Sequence, residues 1–571
     1  MAKIQVTRRG LVGDGHTDNS QALAELIASV PDNTTIVFPK GDYFFASRVR
    51  VSGKKHLTIE GQDATLITHF SPCGPRTENN DLMGFDHCDD LIIRDFIVTT
   101  DNPIGCAGRV TAVDLENRTF DVRVFDEFPL TGEEHFFGSN SCDDDGSPDY
   151  VIAAYEPLTE KKVTAPDGSE HTVIVGTVYD LLENNTIRVH ARDGETIDRL
   201  RIGHLIEYRY FIYGNTHFGF SNCNRVELKN IEIYRATSMG AVISPRCSDF
   251  TFDHFNIRVR PGSREVYAAN ADGIHILGLT GYLRMKHCHF VGLGDDALNI
   301  HGTAGEIAAI LPDGRMEIKR HQFQKQGLFP IGDGWAMPGD VLEVYDSATF
   351  LPKGTLTVGS FADGVATITA ATGTYAAGDA LANTAYYAAT HVSDCVVKNT
   401  RARGLLLQTH NVLVENCYFF GMSGAALLLS PDIRVWFEVG PSENVVIRNN
   451  VIEKCAFTAR NGLKAGILMK GCHDAGAEDY SAGVHRDIHI IGNTFRRMGG
   501  YACYLSAIDG LEMRDNLFED CCNRRAKPLT YMNRHDVFLR NCDHVSLSGN
   551  RTTRKETNLL YMKNCKKVTR T

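Results

Sequence analysis

Hydrophobic and polar residues alternate in short runs along most of the chain, and these runs share one pattern. Each run is apolar-x-apolar-x-turn-x-x-apolar, with Asn, Asp, Gly or His at the fifth position. A period of two predicts a half-buried β-strand, and the fifth residue suits a tight turn. The runs are 91-LIIRDFIV-98, 226-VELKNIEI-233, 250-FTFDHFNI-257, 283-LRMKHCHF-290, 412-VLVENCYF-419, 445-VVIRNNVI-452, 488-IHIIGNTF-495, 511-LEMRDNLF-518 and, more loosely, 545-VSLSGNRT-552.

The spacing of these runs predicts the fold class. Successive fifth positions lie 24 residues apart between 230 and 254, and 23 apart between 492 and 515. Repeats of this length built from short strands are typical of an all-β, right-handed parallel β-helix, in which each repeat forms one rung. Because a single rung cannot bury its own apolar face, the rungs must stack on one another.

Two gaps between runs are much longer than one rung. The fifth positions 95 and 230 are 135 residues apart, and 287 and 416 are 129 apart. Both gaps contain alternating strands joined by Asn, Asp and Gly, which is the chemistry of hairpins. We therefore expect two small inserted antiparallel β-barrel-like modules at 104–206 and 302–388, which divide the β-helix into 1–103, 207–301 (the catalytic rungs) and 389–571.

The N-terminal stretch 13-GDGHTDNSQALAELIASV-30 predicts a short amphipathic helix. Thr17 or Asp18 is the expected N-cap, and Ala22, Leu23, Leu26 and Ile27 would share one apolar face. An exposed end of a β-helix is an unpaired sheet edge, so a helical cap is expected here.

Three aspartates lie in segments that otherwise belong to the wall of the β-helix. Aligning 238-SMGAV-242, 270-NADGI-274, 294-GDDAL-298, 401-RARGL-405, 422-MSGAA-426 and 463-LKAGI-467 forms one column. It places Asp272 beside Asp296 at the ~4.8 Å spacing of neighbouring strands, with Arg403 one rung further. Asp295 is offset along the strand. In this alignment Gly240 and Gly424 occupy the same column and leave room for a ligand.

Carboxylates at this separation repel one another, and the repulsion raises the pKa of one of them. A single aspartate in such a fold is usually a turn residue, but three converging on one surface indicate chemistry. An acid with a raised pKa beside ionised partners suits glycosidic hydrolysis, in which one group protonates the leaving oxygen and another activates water. This reaction requires no metal and no cofactor, so neither is expected.

Composition narrows the choice of partners and location. The formal net charge is -11 and no Lys/Arg-rich run is present, which argues against nucleic acid and anionic membranes as partners. No run of ~18 apolar residues predicts a membrane-spanning helix. The first residues lack the apolar segment of a signal peptide, which favours the cytoplasm unless a leader was removed. The 16 cysteines form no CxxC sets and indicate buried reduced thiols.

The motifs NADGIH and GDDALNIH resemble those of polygalacturonases, glycoside hydrolase family 28. That resemblance implies an inverting triad in which Asp295 is the general acid and Asp272 and Asp296 are the base pair. Two parts of the family's signature are missing, namely a Gly-His-Gly and a cationic Arg-Ile-Lys. In 404-GLLLQTH-410, Leu406 and Gln408 stand where the two cations would be. The sequence therefore favours a neutral sugar.

The longer strings 272-DGIHILG-278 and 291-VGLGDDALNIHG-302, together with the two insertions, more closely resemble glycoside hydrolase family 110, the α-1,3-galactosidases. This resemblance implies an inverting exo-hydrolase that removes terminal α-galactose from blood-group-B-type or linear Gal-α1,3-Gal ends. It also implies a homodimer. A polygalacturonase-like or other β-helix hydrolase and a non-catalytic carbohydrate-binding β-helix remain the alternatives.

Several further residues are candidates for binding the sugar, and each has a structural alternative. His275 and Asn299 lie three positions past the aspartates and either bond sugar hydroxyls or form a structural pair. Arg403 either contacts sugar or neutralises the aspartates, and Trp436 either stacks on a sugar face or packs. The full set of candidates is His275, Asn299, His301, Arg403, Gln408, Trp436 and Glu438. The acidic run 143-DDDGSPD-149 either binds Ca²⁺ or is a solvated loop.

Overall fold

In the computed structural model of the chain, the structure is described for residues 2–69, 82–102, 104–128, 151–155, 172–174, 179–191, 197, 200–209, 214–322, 325–433, 436–456, 465–472, 480–521, 535–553 and 558–571. The run 143–149 lies outside these residues.

Most of the described chain winds into a parallel β-helix with two long sheets. The larger sheet has 23 strands and carries the repeated runs. Its strands are Ala2–Gln5, Asp14–Asp18, Thr34–Phe38, Asp42–Phe45, Thr58–Thr68, Asp89–Thr100, Asn224–Ile233, Ser248–Arg258, Thr280–Lys286, His289–Val291, Ala389–Ser393, Val396–Lys398, His410–Glu415, Tyr418–Phe420, Glu443–Arg448, Val451–Glu453, His485–Ile491, Thr494–Arg496, Ile508–Arg514, Leu517–Glu519, Asp543–Ser548, Arg551–Thr552 and Val568–Arg570.

The second sheet faces the first across the core and carries the candidate site. Twelve of its 13 strands are parallel, and Glu438–Val439 joins it antiparallel. The parallel strands are Val49–Ser52, Met83–Asp86, Phe218–Ser221, Ala241–Ile243, Ile274–Leu277, Leu298–Thr303, Leu405–Leu407, Leu427–Leu429, Ala465–Met469, Tyr501–Ser506, His535–Arg540 and Asn558–Lys563.

The fifth position of each repeated run is a bend in the left-handed region of the backbone. All nine of these residues have φ between 50° and 66°. Asn, Asp, His and Gly tolerate this conformation better than other residues do. The bend therefore explains the residue types at that position. The nine residues are Asp95, Asn230, His254, His287, Asn416, Asn449, Gly492, Asp515 and Gly549.

The core between the sheets is built of stacked columns. Strand register places Leu91, Val226 and Phe250 in consecutive rungs, and all three are buried. The column directly after the bend contains cysteines and then asparagines. In it, Asn450, Asn493 and Asn516 bond to the next rung through their side chains. Of the 13 described cysteines all are free and 12 are buried, as predicted for reduced thiols.

The first insertion folds into a seven-stranded antiparallel sheet. Its buried side chains form a separate hydrophobic cluster that includes Val110, Phe120 and Ile187. Its strands are Gly105–Asp114, Thr119–Val124, Val151–Tyr155, Thr172–Ile174, Tyr179–Leu182, Thr186–His190 and Leu205–Arg209.

The second insertion closes into a six-stranded barrel, because Gly305–Ile310 pairs with both Ala380–Asn383 and Met316–Gln322. It follows the aspartate rungs directly in the chain. Its strands are Gly305–Ile310, Met316–Gln322, Lys325–Pro330, Val341–Tyr345, Pro352–Ala362, Val365–Gly373 and Ala380–Asn383, with short 3₁₀ turns at Asp333–Trp335 and Thr384–Tyr386. Lys325–Pro330 pairs only with the barrel strand Met316–Gln322 among the described residues.

The predicted N-terminal helix spans Ser20–Ser29, after a 3₁₀ turn at Val6–Arg9. Leu23, Leu26 and Ile27 are buried against the first rungs. The predicted N-cap was wrong by one or two residues, since Asn19 is the cap, although the Asp18 carboxylate still accepts from the Ser20 amide at 3.0 Å. Among the described residues, no helix is long and apolar enough to cross a membrane.

Candidate active site

The three aspartates meet where two neighbouring strands of the second sheet begin. Ile274 pairs with Leu298, and this register places Asp272 beside Asp296. One oxygen from each of the three carboxylates lies within 4.8 Å of one from the others. Asp272 and Asp296 are 6% and 0% exposed, whereas the Asp295 side chain keeps 25% of its surface open. Asp295 is thus the most accessible of the three carboxylates.

Arg403 lies in the next rung and holds Asp296 with both ends of its guanidinium. Its Nε donates to Oδ1 at 2.8 Å, its Nη2 donates to Oδ2 at 2.6 Å, and its backbone amide donates to Oδ1 at 2.9 Å. Burial raises the pKa of Asp296 to about 6, with Asp295 and Asp272 adding to the rise and Arg403 opposing it. Asp296 is therefore mostly ionised at neutral pH, but it is close to its titration range.

Arg401 contributes a second cation, which was not among the residues predicted from the sequence. Its Nη2 donates to Asp295 Oδ2 at 3.2 Å, and Arg403 Nη2 lies 3.8 Å from Asp295 Oδ1. The RARGL segment carries two arginines two positions apart, and that spacing was the available signal. Positive charge at this point stabilises the carboxylate that Asp295 becomes when it gives up a proton.

Both oxygens of Asp272 are occupied. Oδ1 accepts from the Asp296 amide at 3.0 Å, and Oδ2 lies 2.7 Å from His275 Nδ1. Burial raises the pKa of Asp272, the bond to His275 opposes the rise, and repulsion from Asp295 adds to it. Asp272 is thus a fixed carboxyl group with limited freedom to turn.

A short strand, Glu438–Val439, pairs with the end of an aspartate rung and brings Glu438 into the site. Glu438–Val439 pairs antiparallel with Gly302 and Thr303. Asn299 Nδ2 donates to Glu438 Oε1 at 3.2 Å, and Gln408 Nε2 donates to Oε2 at 3.4 Å and to the Ser430 carbonyl at 2.9 Å. The Glu438 carboxylate is therefore held by two side-chain amides.

A small cavity of about 90 Å³ opens beside these groups. Every predicted substrate-binding residue except His301 lines this cavity. His301 contacts His275 instead, and their Nε2 atoms are 3.3 Å apart. Trp436 is 47% exposed at this cavity. The cavity is lined by Met239, Asp272, His275, Asp295, Asp296, Asn299, Arg403, Leu406, Gln408, Leu428, Asp432, Trp436 and Glu438. A larger cavity of about 440 Å³, near His16, Arg235 and Arg260, includes none of the three aspartates.

The predicted small neighbours of the aspartates were wrong by one residue on each side. Ala241 pairs with Ile274, so Met239 rather than Gly240 falls beside Asp272. Leu405 pairs with Leu427, so Ala425 rather than Gly424 falls beside Arg403. The Gly-Ala and Ala-Ala motifs fit two registers equally well. The backbone hydrogen bonds select the register that differs by one residue from the predicted one. Met239 and Asp432 were missed as lining residues.

The two buried amide side chains of the cavity each leave one oxygen without a partner. Among the described residues, nothing donates to Asn299 Oδ1 or Gln408 Oε1, although the two side chains are 4% and 1% exposed. Buried acceptors without a donor from the protein are rare, and both of these belong to residues that line the cavity. These two oxygens suit the hydroxyl groups of a bound molecule.

Three groups in the described part of the chain have donor atoms close enough together to hold a metal ion: Asp253/His254/His287, Asp509/Asp543/His544, and the aspartate triad itself. In the triad, Arg401 and Arg403 already provide positive charge. The sequence predicts that the site needs no metal, and this stays a prediction.

Comparison with known family models supports the fold. Residues 388–543 match a family model described as "Right handed beta helix region", and residues 3–69 match one described as "Rhamnogalacturonase A/epimerase, pectate lyase-like". The predicted right-handed β-helix with inserted antiparallel modules is thereby confirmed as the fold class. A solved structure, a family 28 exopolygalacturonase from Yersinia enterocolitica, aligns with 99% of this chain and 78% of its own at 11% identity and a TM-score of 0.49.

Sequence relatives carry one recurring name. "Alpha-1,3-galactosidase B" of Bacteroides thetaiotaomicron is 24% identical over 91% of this chain and 85% of its own. "Alpha-1,3-galactosidase B" of Phocaeicola vulgatus is 25% identical over 78% of each chain. The resemblance to α-1,3-galactosidases that the aspartate motifs predict is therefore confirmed over most of the chain's length.

Proposed function

We propose that this protein is an exo-acting glycoside hydrolase that removes terminal α-1,3-linked galactose from oligosaccharides or glycans with inversion at the anomeric carbon. The observation that carries the proposal is the triad of Asp272, Asp295 and Asp296 in a cavity with unpaired amide acceptors. The names of the sequence relatives supply the choice of α-1,3-galactose among neutral sugars.

In the proposed mechanism the accessible Asp295 protonates the leaving oxygen. Arg401 and Arg403 then stabilise the carboxylate that remains. Asp272 and Asp296 hold and deprotonate the attacking water as the base pair. Arg403 keeps Asp296 ionised near neutral pH and so acts on the aspartates, which is one of the two roles that the sequence left open for it. General acid–base steps of this kind contribute typically 10²–10⁴-fold each to the rate.

A neutral sugar fits the charge of the cavity better than a uronate does. Leu406 and Gln408 line the wall where a cationic clamp would stand, and Glu438 and Asp432 add negative charge. A sugar carboxylate would meet this charge at short range, and the two cations of the site, Arg401 and Arg403, are already bonded to Asp295 and Asp296. Hydroxyl groups, in contrast, can donate to Asn299 Oδ1 and Gln408 Oε1. This contrast is the argument against a polygalacturonase-like function.

The distance between the carboxylates bears on the stereochemistry. Two-carboxylate glycosidases with groups ~5–5.5 Å apart usually retain configuration, and those ~6.5–9.5 Å apart usually invert it. Here the closest oxygens lie within 4.8 Å. Inversion rests on the motif resemblance, in which two of the three carboxylates share one water, and the short separation makes retention the second candidate.

An NMR time course on Gal-α1,3-Gal tests the proposal. We expect free galactose to appear first as the β-anomer and to mutarotate to the equilibrium mixture afterwards. First appearance of α-galactose would replace inversion by retention but leave the galactosidase assignment intact. Parallel reactions contain Gal-α1,4-Gal and polygalacturonate as linkage and charge controls.

Two outcomes would overturn the proposal. Release from polygalacturonate without release from Gal-α1,3-Gal would favour the polygalacturonase-like alternative. Binding of Gal-α1,3-Gal without hydrolysis, unchanged in Asp295→Asn, would favour a non-catalytic carbohydrate-binding β-helix. A carbohydrate is the only partner that the proposal requires. A homodimer and a cytoplasmic location are further proposals, testable by light scattering and by fractionation of the source cells.

A further inference from the structure

We propose that His275 and His301 are positioning residues, a hydrogen-bonded pair with one fixed proton arrangement that orients Asp272 and keeps it ionised. This inference deepens the proposed function, because Asp272 belongs to the water-activating pair there. The sequence suggested that the polar atoms of these two histidines bind the sugar directly. The positioning role takes the place of that suggestion.

The proton arrangement begins at the buried end of the pair. His301 Nδ1 lies 2.9 Å from the Gly302 carbonyl, which can only accept, so Nδ1 carries a proton. In a neutral ring the other nitrogen, Nε2, then has a free lone pair. This Nε2 lies 3.3 Å from His275 Nε2, with the two rings at 85° to each other. His275 must therefore donate from Nε2.

The other nitrogen of His275 faces a carboxylate. Nδ1 lies 2.7 Å from Asp272 Oδ2, the short distance typical of a charge-assisted bond. Both nitrogens of His275 therefore carry protons, which makes it an imidazolium bonded to an ionised Asp272. The opposite arrangement would place the charge on His301, whose nearest carboxylate oxygen, on Glu438, is 3.7 Å away. The 2.7 Å contact favours the charge on His275.

The surrounding charges agree with this arrangement. Burial opposes a charge on His275, but the bond to Asp272 and the negative charges of Asp272, Glu438 and Asp296 raise its pKa overall. Burial lowers the pKa of His301, and charge on His275 lowers it further, against the attraction of Glu438. Among the described groups, Arg403 is the cation of the cavity that opposes charge on His275, and it is bound to Asp296.

The pair fixes the direction of the Asp272 carboxylate. Oδ2 is held by His275 and Oδ1 by the Asp296 amide, so the group cannot rotate to follow a sugar or a water. Because His275 is held in turn by His301, loss of the second histidine loosens the first. A misplacement of about 1 Å at a reacting group costs roughly 10²-fold in rate. The polar atoms of both rings are occupied before any sugar enters.

The first test measures protonation and needs no activity. Nitrogen-15 NMR of histidine-labelled protein at pH 7.5 should show one ring with both nitrogens protonated, absent from His275→Asn. It should show a second, neutral ring protonated at Nδ1, absent from His301→Gln. A neutral His275 ring would overturn the proposal, even if the protein were an α-galactosidase. A failure of hydrolysis alone, with these signals present, would instead overturn the proposed function.

The second test separates positioning from sugar binding. We expect His275→Asn, which keeps a donor to Asp272 without the charge, to lower kcat about 10- to 100-fold and to leave KM within about twofold. It should also reduce the alkaline limb of the kcat profile to the part that the general acid Asp295 sets. His301→Leu should shift that limb to lower pH, and His301→Gln, which keeps an acceptor near Nε2, should restore part of the loss. A raised KM with unchanged kcat and pH profile would identify the histidines as sugar ligands and overturn the proposal. His254→Asn, in a surface cluster of the same residue types, is the matched control.

Discussion

Two clusters on this β-helix contain the same residue types, one aspartate and two histidines, and behave in opposite ways. In the cavity, Asp272 meets His275, which contacts His301. On the outer wall, Asp253 meets His254 at 2.7 Å and His287 at 3.4 Å, and the two rings stack with centroids 4.8 Å apart. Burial would raise the pKa of Asp253, but bonds from both histidines and Lys286 lower it to about 2. Burial raises the pKa of Asp272.

The difference lies in solvation and in the neighbouring charges. The outer histidines keep about half of their side-chain surface in water, at 53% and 47%, and Lys229 and Lys286 add positive charge 3.5 and 3.3 Å from Asp253. The cavity cluster is buried and lies among further carboxylates. The same three residue types therefore give an aspartate with a lowered pKa where the histidines stay solvated, and one with a raised pKa where the histidines are buried as well.

The largest expected contrast is in turnover. Asp295→Asn removes the proposed proton donor of the cavity, and kcat on Gal-α1,3-Gal should fall by roughly 10³-fold or more with binding retained. Asp253→Asn should leave kcat within about twofold. Steady-state kinetics combined with calorimetric binding of the disaccharide measures both. Equal losses in the two variants would mean that the outer cluster is also part of the site.

Removing the cation next to each cluster should lower the free energy of unfolding by very different amounts. Arg403→Met leaves Asp296 buried without its partner and should cost about 3 kcal/mol. Lys286→Met removes a half-exposed lysine and should cost no more than about 0.5 kcal/mol. Urea unfolding followed by circular dichroism gives both values. Similar small losses would show that water or a neighbouring group replaces Arg403 readily.

Asp296, which lies beside the cavity cluster, and Asp253 of the outer cluster should shift stability in opposite directions with pH. The pKa of Asp296 lies at about 6 in the folded chain, above its ordinary 3.8. Its contribution to stability is present at low pH and lost between about 4 and 6. The pKa of Asp253 lies at about 2, so its contribution is present above 3.8 and lost as pH falls toward 2. The contribution is about 3 kcal/mol for Asp296 and about 2 kcal/mol for Asp253.

Unfolding free energy measured from about pH 2 to 7 tests this for the wild type, Asp253→Asn and Asp296→Asn. The first variant should lose the acid-side slope, and the second should lose the opposite slope. Slopes of the same sign in both regions would contradict the assigned directions.

The smallest effect concerns the backbone beneath the outer cluster. His254 and His287 occupy left-handed bends with φ of 54°, whereas His275 and His301 lie in extended strands. His287→Ala should therefore be about 1 kcal/mol less stable than His287→Asn, since Asn tolerates this conformation better. No such Ala–Asn difference from the backbone is expected at His301. Thermal unfolding of the four variants provides the comparison.

Much of the site could be predicted because its members are close neighbours within the repeat. Asp272 with Asp296 and His275 with Asn299 follow directly from the stacking of two rungs 24 residues apart. The predicted column was wrong at two positions, where Met239 and Ala425 lie instead of Gly240 and Gly424. Motifs of small residues fit two registers at both places. Arg401 was not predicted, because it lies outside the aligned column. The direction of its side chain brings it to Asp295.

The sequence by itself determined the rung, its left-handed bends, the two insertions and the stacking of the aspartates, because all of these follow from local periodicity and short spacing. Only the tertiary structure decided which aspartate is buried, which cation each one meets, and that Glu438 accepts a hydrogen bond from Asn299, 139 residues earlier in the chain. Those outcomes depend on desolvation and on contacts between distant segments. Two Asp–His–His clusters with the same residue types therefore acquire opposite electrostatics.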